Sequence, residues 1–329
     1  MTRPGGKHEV FVSAPGKIFL AGEYGVLYGG EAIVAAVTKR ARSYPFRRSR
    51  RANPLLEKTL EQGMVLLREL GLAFHGSLPV TDTGELRIGR EKLGLGSSAA
   101  AAVACLGAIL AAAGADPGNE RPRILRAAAR AHREFQGGKG SGADVAASTL
   151  GGVVRVTRSP DGDPSATSVS RTDGLVLAAV WSGRAASTTD LIGRVEAWRE
   201  RRPVEHQALM MEIREAAASF VSAMEHADLP ELLESVSRHH RLFQDLGRQC
   251  GAAVVTPDLE RIVEMSRRFG GAAKPSGAGG GDLAVAFFPD PGACAGFAAA
   301  VAQEGFVPLD AAIDDAGVML HDERPDQEG

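Results

Sequence analysis

Apolar residues along the chain change their spacing several times, and each change marks an element. Val10–Val12 and Lys17–Leu20 read as short strands around a turn, Ser13-Ala14-Pro15-Gly16, and Glu31–Val37 reads as a third strand. Lys39 to Arg51 holds seven basic residues and no acid, which predicts a solvated loop or the mouth of a site for an anion. Leu56, Leu60, Met64 and Leu67 recur at helical spacing, so Pro54 to Leu70 is a predicted helix ended by Gly71, with Met64 as core filler. An alanine-rich stretch running to Ala113 and the segment Arg123–Phe135 read as two further helices. A strand over Gly152–Thr157 follows, and then a polar, turn-forming stretch over 158–173.

The second half opens with an apolar strand, Leu175–Trp181, and continues with long helical patterns from about 190 to 247. Thr256-Pro257 is a helix start, since threonine caps and proline suits the first turn; that helix ends near Gly270-Gly271. Leu283–Phe288 is a strand, and the charged tail after Leu320 is expected to be loose. No solenoid repeat is visible. The turn-rich stretch sets the expected division into two domains, 1–165 and 166–329.

Composition narrows the possibilities. A chain of 329 residues, 44% hydrophobic and 24% charged, suits about two globular domains. A net charge of −2 gives no general attraction to nucleic acid or membrane, and the N-terminus lacks the apolar run of a signal peptide. Ala99–Ala115 is short for a bilayer span. Cys105, Cys250 and Cys294 form no metal or disulfide spacing, so a reducing cytoplasm is expected. His239-His240 point about 100° apart on a helix, a poor bidentate metal pair, and are expected on a solvated face.

The chemistry gathers at glycines. Gly94-Leu95-Gly96-Ser97-Ser98-Ala99 runs straight into the alanine helix. Glycines let backbone amides approach a ligand, the serines sit where a helix begins, and a helix N-terminus favours an anion. An ordinary serine-capped core helix is the plainer alternative. Gly137 to Asp144 and Lys274 to Asp282 are two more glycine clusters. Lysine is scarce in this arginine-rich chain, yet Lys17, Lys92, Lys139 and Lys274 all lie in or beside such loops. A compact ammonium meets a phosphate oxygen as a point charge. None of the loops is a Walker A loop or a dinucleotide fingerprint.

Together these segments resemble the three signature motifs of the GHMP kinases. Ser13-Ala14-Pro15-Gly16-Lys17 with Ala21-Gly22-Glu23-Tyr24 resembles the first, Gly94 to Ala99 the second and Ser276 to Asp282 the third. The resemblance implies a two-domain α+β architecture, with an N-terminal ribosomal-S5-domain-2-like domain, a C-terminal ferredoxin-like domain and the site between them. Gly22-Glu23-Tyr24, Lys92, Gly140 to Ala147 and Gly279 to Asp282 are similar to the phosphomevalonate kinase branch. Ala99-Ala100 and Ser148 to Gly152 are closer to the mevalonate kinase branch, and Arg90 replaces the proline usual before the loop. The family's metal-binding glutamate would fall at Arg133; Glu134 is one position away.

By this resemblance the chain transfers phosphate from ATP to 5-phosphomevalonate, with mevalonate kinase as the close alternative and a non-catalytic ligand sensor as a remote one. Lys92 and Gly94 to Ala99 would hold ATP, with Mg²⁺ on Ser98 and Glu134, and Lys17 and Asp144 would be catalytic. Glu23, Tyr24, Lys139, Ser141, Gly142, Arg184, Ser276, Gly277, Ala278 and Gly279 would face the acceptor. Plainer readings stand beside these: Asp144 as a helix cap, Lys139 solvated, Arg184 paired with a surface acid, Ser187 and Thr188 as caps. The expected partner is a small molecule, with no nucleic acid or membrane, and the chain is expected to be a monomer or homodimer.

Overall fold

The computed structural model describes residues 9–49, 53–74, 76–138, 140–159, 161–169 and 176–323. The first part of the chain builds a six-stranded antiparallel sheet around two long strands, β1 (Glu9–Ala21) and β2 (Glu31–Arg48). β1 is one strand, not two around a turn. Its pairing register with β2 slips between Pro15 and Gly16, so the Pro-Gly step is absorbed as an irregularity within the ladder. β2 likewise runs through the expected basic loop. Ala41, Ser43 and Pro45 are buried while Arg42, Phe46 and Arg47 face solvent, which is strand alternation hidden under arginines. Arg40, Arg42 and Arg47 are paired with Asp314, Glu85 and Glu9.

Asn53 caps α1 (Pro54–Glu69), accepting from the amides of Leu55 and Leu56. β3 (Pro79–Asp82) pairs with β2, and β4 (Arg87–Ile88) and β5 (Glu91–Lys92) form a small ribbon leading to the 94–99 loop. α2 (Ser97–Ala112) is buried over nearly its whole length, and its alanines let it lie close against β1 and β2. α3 (Arg121–Phe135) and α1 cover α2, while α4 (Ala143–Leu150) packs beside it against the sheet. β6 (Val153–Arg158) and β7 (Pro164–Val169) complete that side of the sheet, so position 165 falls inside β7.

β8 (Val176–Trp181) opens a second, four-stranded antiparallel sheet, preceding the helices α5 (Thr188–Arg201), α6 (Pro203–Glu225), α7 (Leu229–Cys250) and α8 (Pro257–Arg268). β9 (Ala272–Ser276), β10 (Leu283–Phe288), α9 (Pro291–Gln303) and β11 (Val307–Leu309) follow, giving the strand order β11-β8-β10-β9. Thr256 caps α8 as its sequence predicts. The tail is not loose up to Glu323: β12 (Met319–Glu323) crosses back and pairs with β1 in the first sheet. His239 and His240 are both fully buried rather than solvated. No helix among the described residues is long and apolar enough to cross a membrane. The architecture is the two-domain, mixed α+β arrangement expected.

Candidate active site

Gly16 lies where β1 meets the glycine loop. A Cβ there would fall 2.7 Å from the carbonyl oxygen of Leu95, so only glycine lets the loop settle on the strand. The next residue, Lys17, donates its backbone N–H to that same Leu95 carbonyl at 2.8 Å. Its side chain then runs beneath the loop, and Nζ donates to the Gly94 carbonyl at 3.1 Å. Gly94 and Gly96 have φ of 74° and 72°, and a Cβ on Gly96 would lie 2.8 Å from Lys17 Cγ. Loop and lysine are therefore built as one unit.

This unit lines a cavity of about 490 Å³. β1 contributes Lys17, and the turn after it Glu23 and Tyr24; the loop and α2 contribute Gly94, Gly96, Ser97 and Ser98. Ser141 and Asp144 come from the start of α4, Lys92 from β5, and Ser276, Gly277 and Ala278 from the third glycine cluster. Burial lowers the pKa of the Lys17 ammonium, while the carboxylates of Asp144, Asp282 and Glu23 work in the opposite direction. The N-termini of α2, α4 and α5 all reach this cavity through Ser97 and Ser98, Asp144, and Ser187 and Thr188. Each brings unpaired backbone N–H groups and partial positive charge.

The first and third clusters are clamped together behind the cavity wall. Lys274 and Glu23 form a buried ion pair, and Glu23 Oε1 also accepts from the Gly277 amide at 3.2 Å. Burial lowers the pKa of Lys274, with Glu23 opposing. Tyr24 donates its hydroxyl to the Ala278 carbonyl at 2.7 Å, and Ser276 Oγ bridges both backbone groups of Phe19. Beneath them His239 Nε2 accepts from the Gly22 amide at 3.3 Å, and burial pushes this imidazole down to about 4.

Several expected positions lie elsewhere. Leu95 and Ala99 are buried behind the loop, acting through backbone and packing. Gly142 precedes α4 as its N-cap, and Gly279 is wedged against Val254, where a Cβ would lie 2.2 Å from a carbonyl oxygen. The Arg184 side chain is 77% exposed and pairs with Asp258 at 3.4 Å, the plainer of its two readings. Glu134 is a correction. On α3 it points away from the cavity, pairs with Lys58 at 3.3 Å and accepts from Gln62 at 3.1 Å. It is two residues, about 200° of helix, from His132, whose side chain does reach Ser98. Lys139 lies outside the described residues. The serines do not cap α2: Gly96 holds the N-cap position and makes no side-chain bond. Ser187 does cap α5, accepting from the Asp190 amide at 3.4 Å.

Three further residues, Asp282, Gln136 and His132, reach the site without having been expected there. Asp282 lines the cavity and accepts from the Ala186 amide at 2.8 Å; burial raises its pKa, and that bond, Lys17 and Lys92 restrain the rise. Its place at the end of a glycine cluster that already held Lys274 was the available signal. For His132 and Gln136 the signal was a polar pair four residues apart, with His132 one turn beyond Ala128 on the buried face of α3.

The model of the GHMP kinases N-terminal domain matches residues 56–152, and that of the GHMP kinases C-terminal domain matches residues 220–306. A phosphomevalonate kinase of Streptomyces sp. (strain CL190) is 31% identical over 230 residues, which span 64% of this chain and 61% of that protein. A mevalonate kinase of Thermococcus gammatolerans is 27% identical over 317 residues, spanning 85% of this chain and 90% of that one. Streptococcus pneumoniae phosphomevalonate kinase, solved with phosphomevalonate and AMPPNP, shares the fold with a TM-score of 0.74 at 21% identity, over 92% of this chain and 99% of that one.

Proposed function

The chain belongs to the GHMP kinase superfamily, and on that premise we propose that it transfers the γ-phosphate of ATP to 5-phosphomevalonate, giving 5-diphosphomevalonate. The observation that carries this reading is the buried Lys17 ammonium. It is fixed to the phosphate-loop carbonyl, beside the carboxylates of Asp144 and Asp282, in one cavity reached by three helix N-termini. Phosphoryl transfer between two anions needs position and charge neutralisation more than covalent help.

ATP phosphates would sit against Gly94 to Ser98, where the loop and the α2 N-terminus line the cavity. Mg²⁺ needs only one or two protein oxygens when phosphates and water supply the rest, and the Ser98 hydroxyl at the cavity wall fits that need. Bound there, the ion would neutralise charge on the transferring phosphate. Lys17 would stabilise charge on the oxygens between donor and acceptor. A phosphomonoester is largely ionised at neutral pH, so Asp144 would orient Lys17 rather than remove a proton. Glu23 Oε2, buried and without a hydrogen-bond partner among the described residues, would take a hydroxyl of the acceptor.

One observation favours the mevalonate reading. Among the described residues the cationic side chains lining the cavity are Lys17 and Lys92, while Arg184 faces solvent. A neutral alcohol end would ask less of those two, and Asp144 would then act as general base. Incubation with ATP and each acceptor separately, followed by ³¹P NMR, tests the assignment. Diphosphomevalonate formed from 5-phosphomevalonate supports the proposal; product from mevalonate alone replaces it with the second reading.

A further inference from the structure

His132 is 3% exposed, sits on α3 outside all three glycine motifs, and has no part in the kinase reading given above. Its Nε2 lies 3.0 Å from Ser98 Oγ, on the first turn of α2, and 3.9 Å from Asp144 Oδ2, on the first turn of α4. The other Asp144 oxygen is already held by the Val145 amide at 2.9 Å. One ring nitrogen thus faces the nucleotide side and the acceptor side of the cavity at once. We infer that His132 is a positioning residue, setting the Ser98 hydroxyl and the Asp144 carboxylate relative to one another.

The local chemistry fixes its direction. A lone pair beside a carboxylate is repelled, whereas an N–H beside it is attracted, so Nε2 carries the proton and donates to Ser98 Oγ. With one Oγ lone pair taken by Nε2–H, the second lone pair is left for the cavity that Ser98 lines. Without the imidazole, the Ser98 hydroxyl rotates freely and Asp144 loses the dipole facing its outer oxygen. Gln136, four residues on and therefore on the same face of α3, lines the cavity and continues the polar edge. A histidine retained only for packing would need neither contact.

This inference rests on the kinase reading, and its test separates the two. His132→Leu keeps volume without a donor; His132→Gln places an amide N–H near the Nε2 position. The leucine variant is expected to lose about ten-fold or more in kcat and to bind a non-hydrolysable ATP analogue several-fold more weakly by calorimetry, while glutamine restores both to within about three-fold. Equal losses in both variants, or wild-type behaviour in both, overturn the inference. Should the leucine variant not fold, His132→Asn, whose shorter amide falls short of Ser98 Oγ, replaces it with the same expected losses; wild-type behaviour there overturns the inference. If the wild-type protein binds the analogue yet phosphorylates neither acceptor, the kinase reading fails, and the binding comparison alone decides the role of His132.

Discussion

Asp144 is surrounded by groups from several elements. One oxygen is fixed on its own helix, the other faces His132, and its charge acts on the buried Lys17. Asp144→Asn preserves shape and removes charge, so it is expected to fold normally and lose at least about two orders of magnitude in turnover, measured by coupled ATP assay. Turnover near wild type would remove Asp144 from the reaction. His239, buried beneath the first glycine motif, has a different effect, on stability. Its pKa is lowered from 6.5 to about 4 by burial first and Lys274 next, with Glu23 opposing. The unfolded chain therefore binds a proton that the folded chain refuses, and stability falls as pH drops from about 7 towards 4. Melting curves across that window should show a shallower loss in His239→Gln than in wild type; equal slopes would contradict the assignment. The burial of His239 and His240 was not legible in the sequence, because an adjacent polar pair says nothing about what packs over it: Gly22 over His239, and Glu260 of α8 beside His240.

Among the elements, the glycine loop and the strand under it are built as one unit. Gly96→Ala would strain a left-handed backbone and press a methyl into Lys17 Cγ, at 2.8 Å. It is expected to cost about 1 kcal/mol or more in stability and to lower kcat by displacing the ammonium, seen by urea denaturation and steady-state kinetics. Unchanged kcat would show that loop and lysine are independent. The loop, the alanine helix and the start of α8 were legible because each rests on local chemistry: glycine freedom, alanine propensity, a threonine cap. β1 and β2 were read as fragments because Pro15-Gly16 and the arginines between Lys39 and Arg48 mimic turn and loop signals. Their strand character comes from neighbours far away in sequence, as the pairing of Ser13 with Met319 shows. Glu134 was misplaced for a simpler reason: it stands two positions from His132, the residue of α3 that reaches Ser98, and two positions on a helix are a rotation of about 200°.

Across the whole molecule, the buried Lys274–Glu23 pair joins the end of β1 to β9 and so ties the two sheets together at the cavity. Removing one partner of a buried pair strands the other charge, so Glu23→Gln is expected to destabilise the protein by about 3–5 kcal/mol in urea unfolding. A loss under about 1 kcal/mol would mean that the clamp contributes little. The return of β12 to the first sheet strengthens the same union, and no local signal announces it. In the proposed reaction both anions meet at Lys17 inside one cavity. A crystal structure with a non-hydrolysable ATP analogue and 5-phosphomevalonate bound tests it most directly. Lys17 Nζ is expected within hydrogen-bond distance, about 3 Å, of an oxygen between the two phosphates; either ligand seated away from the Gly94–Ser98 loop would refute that placement.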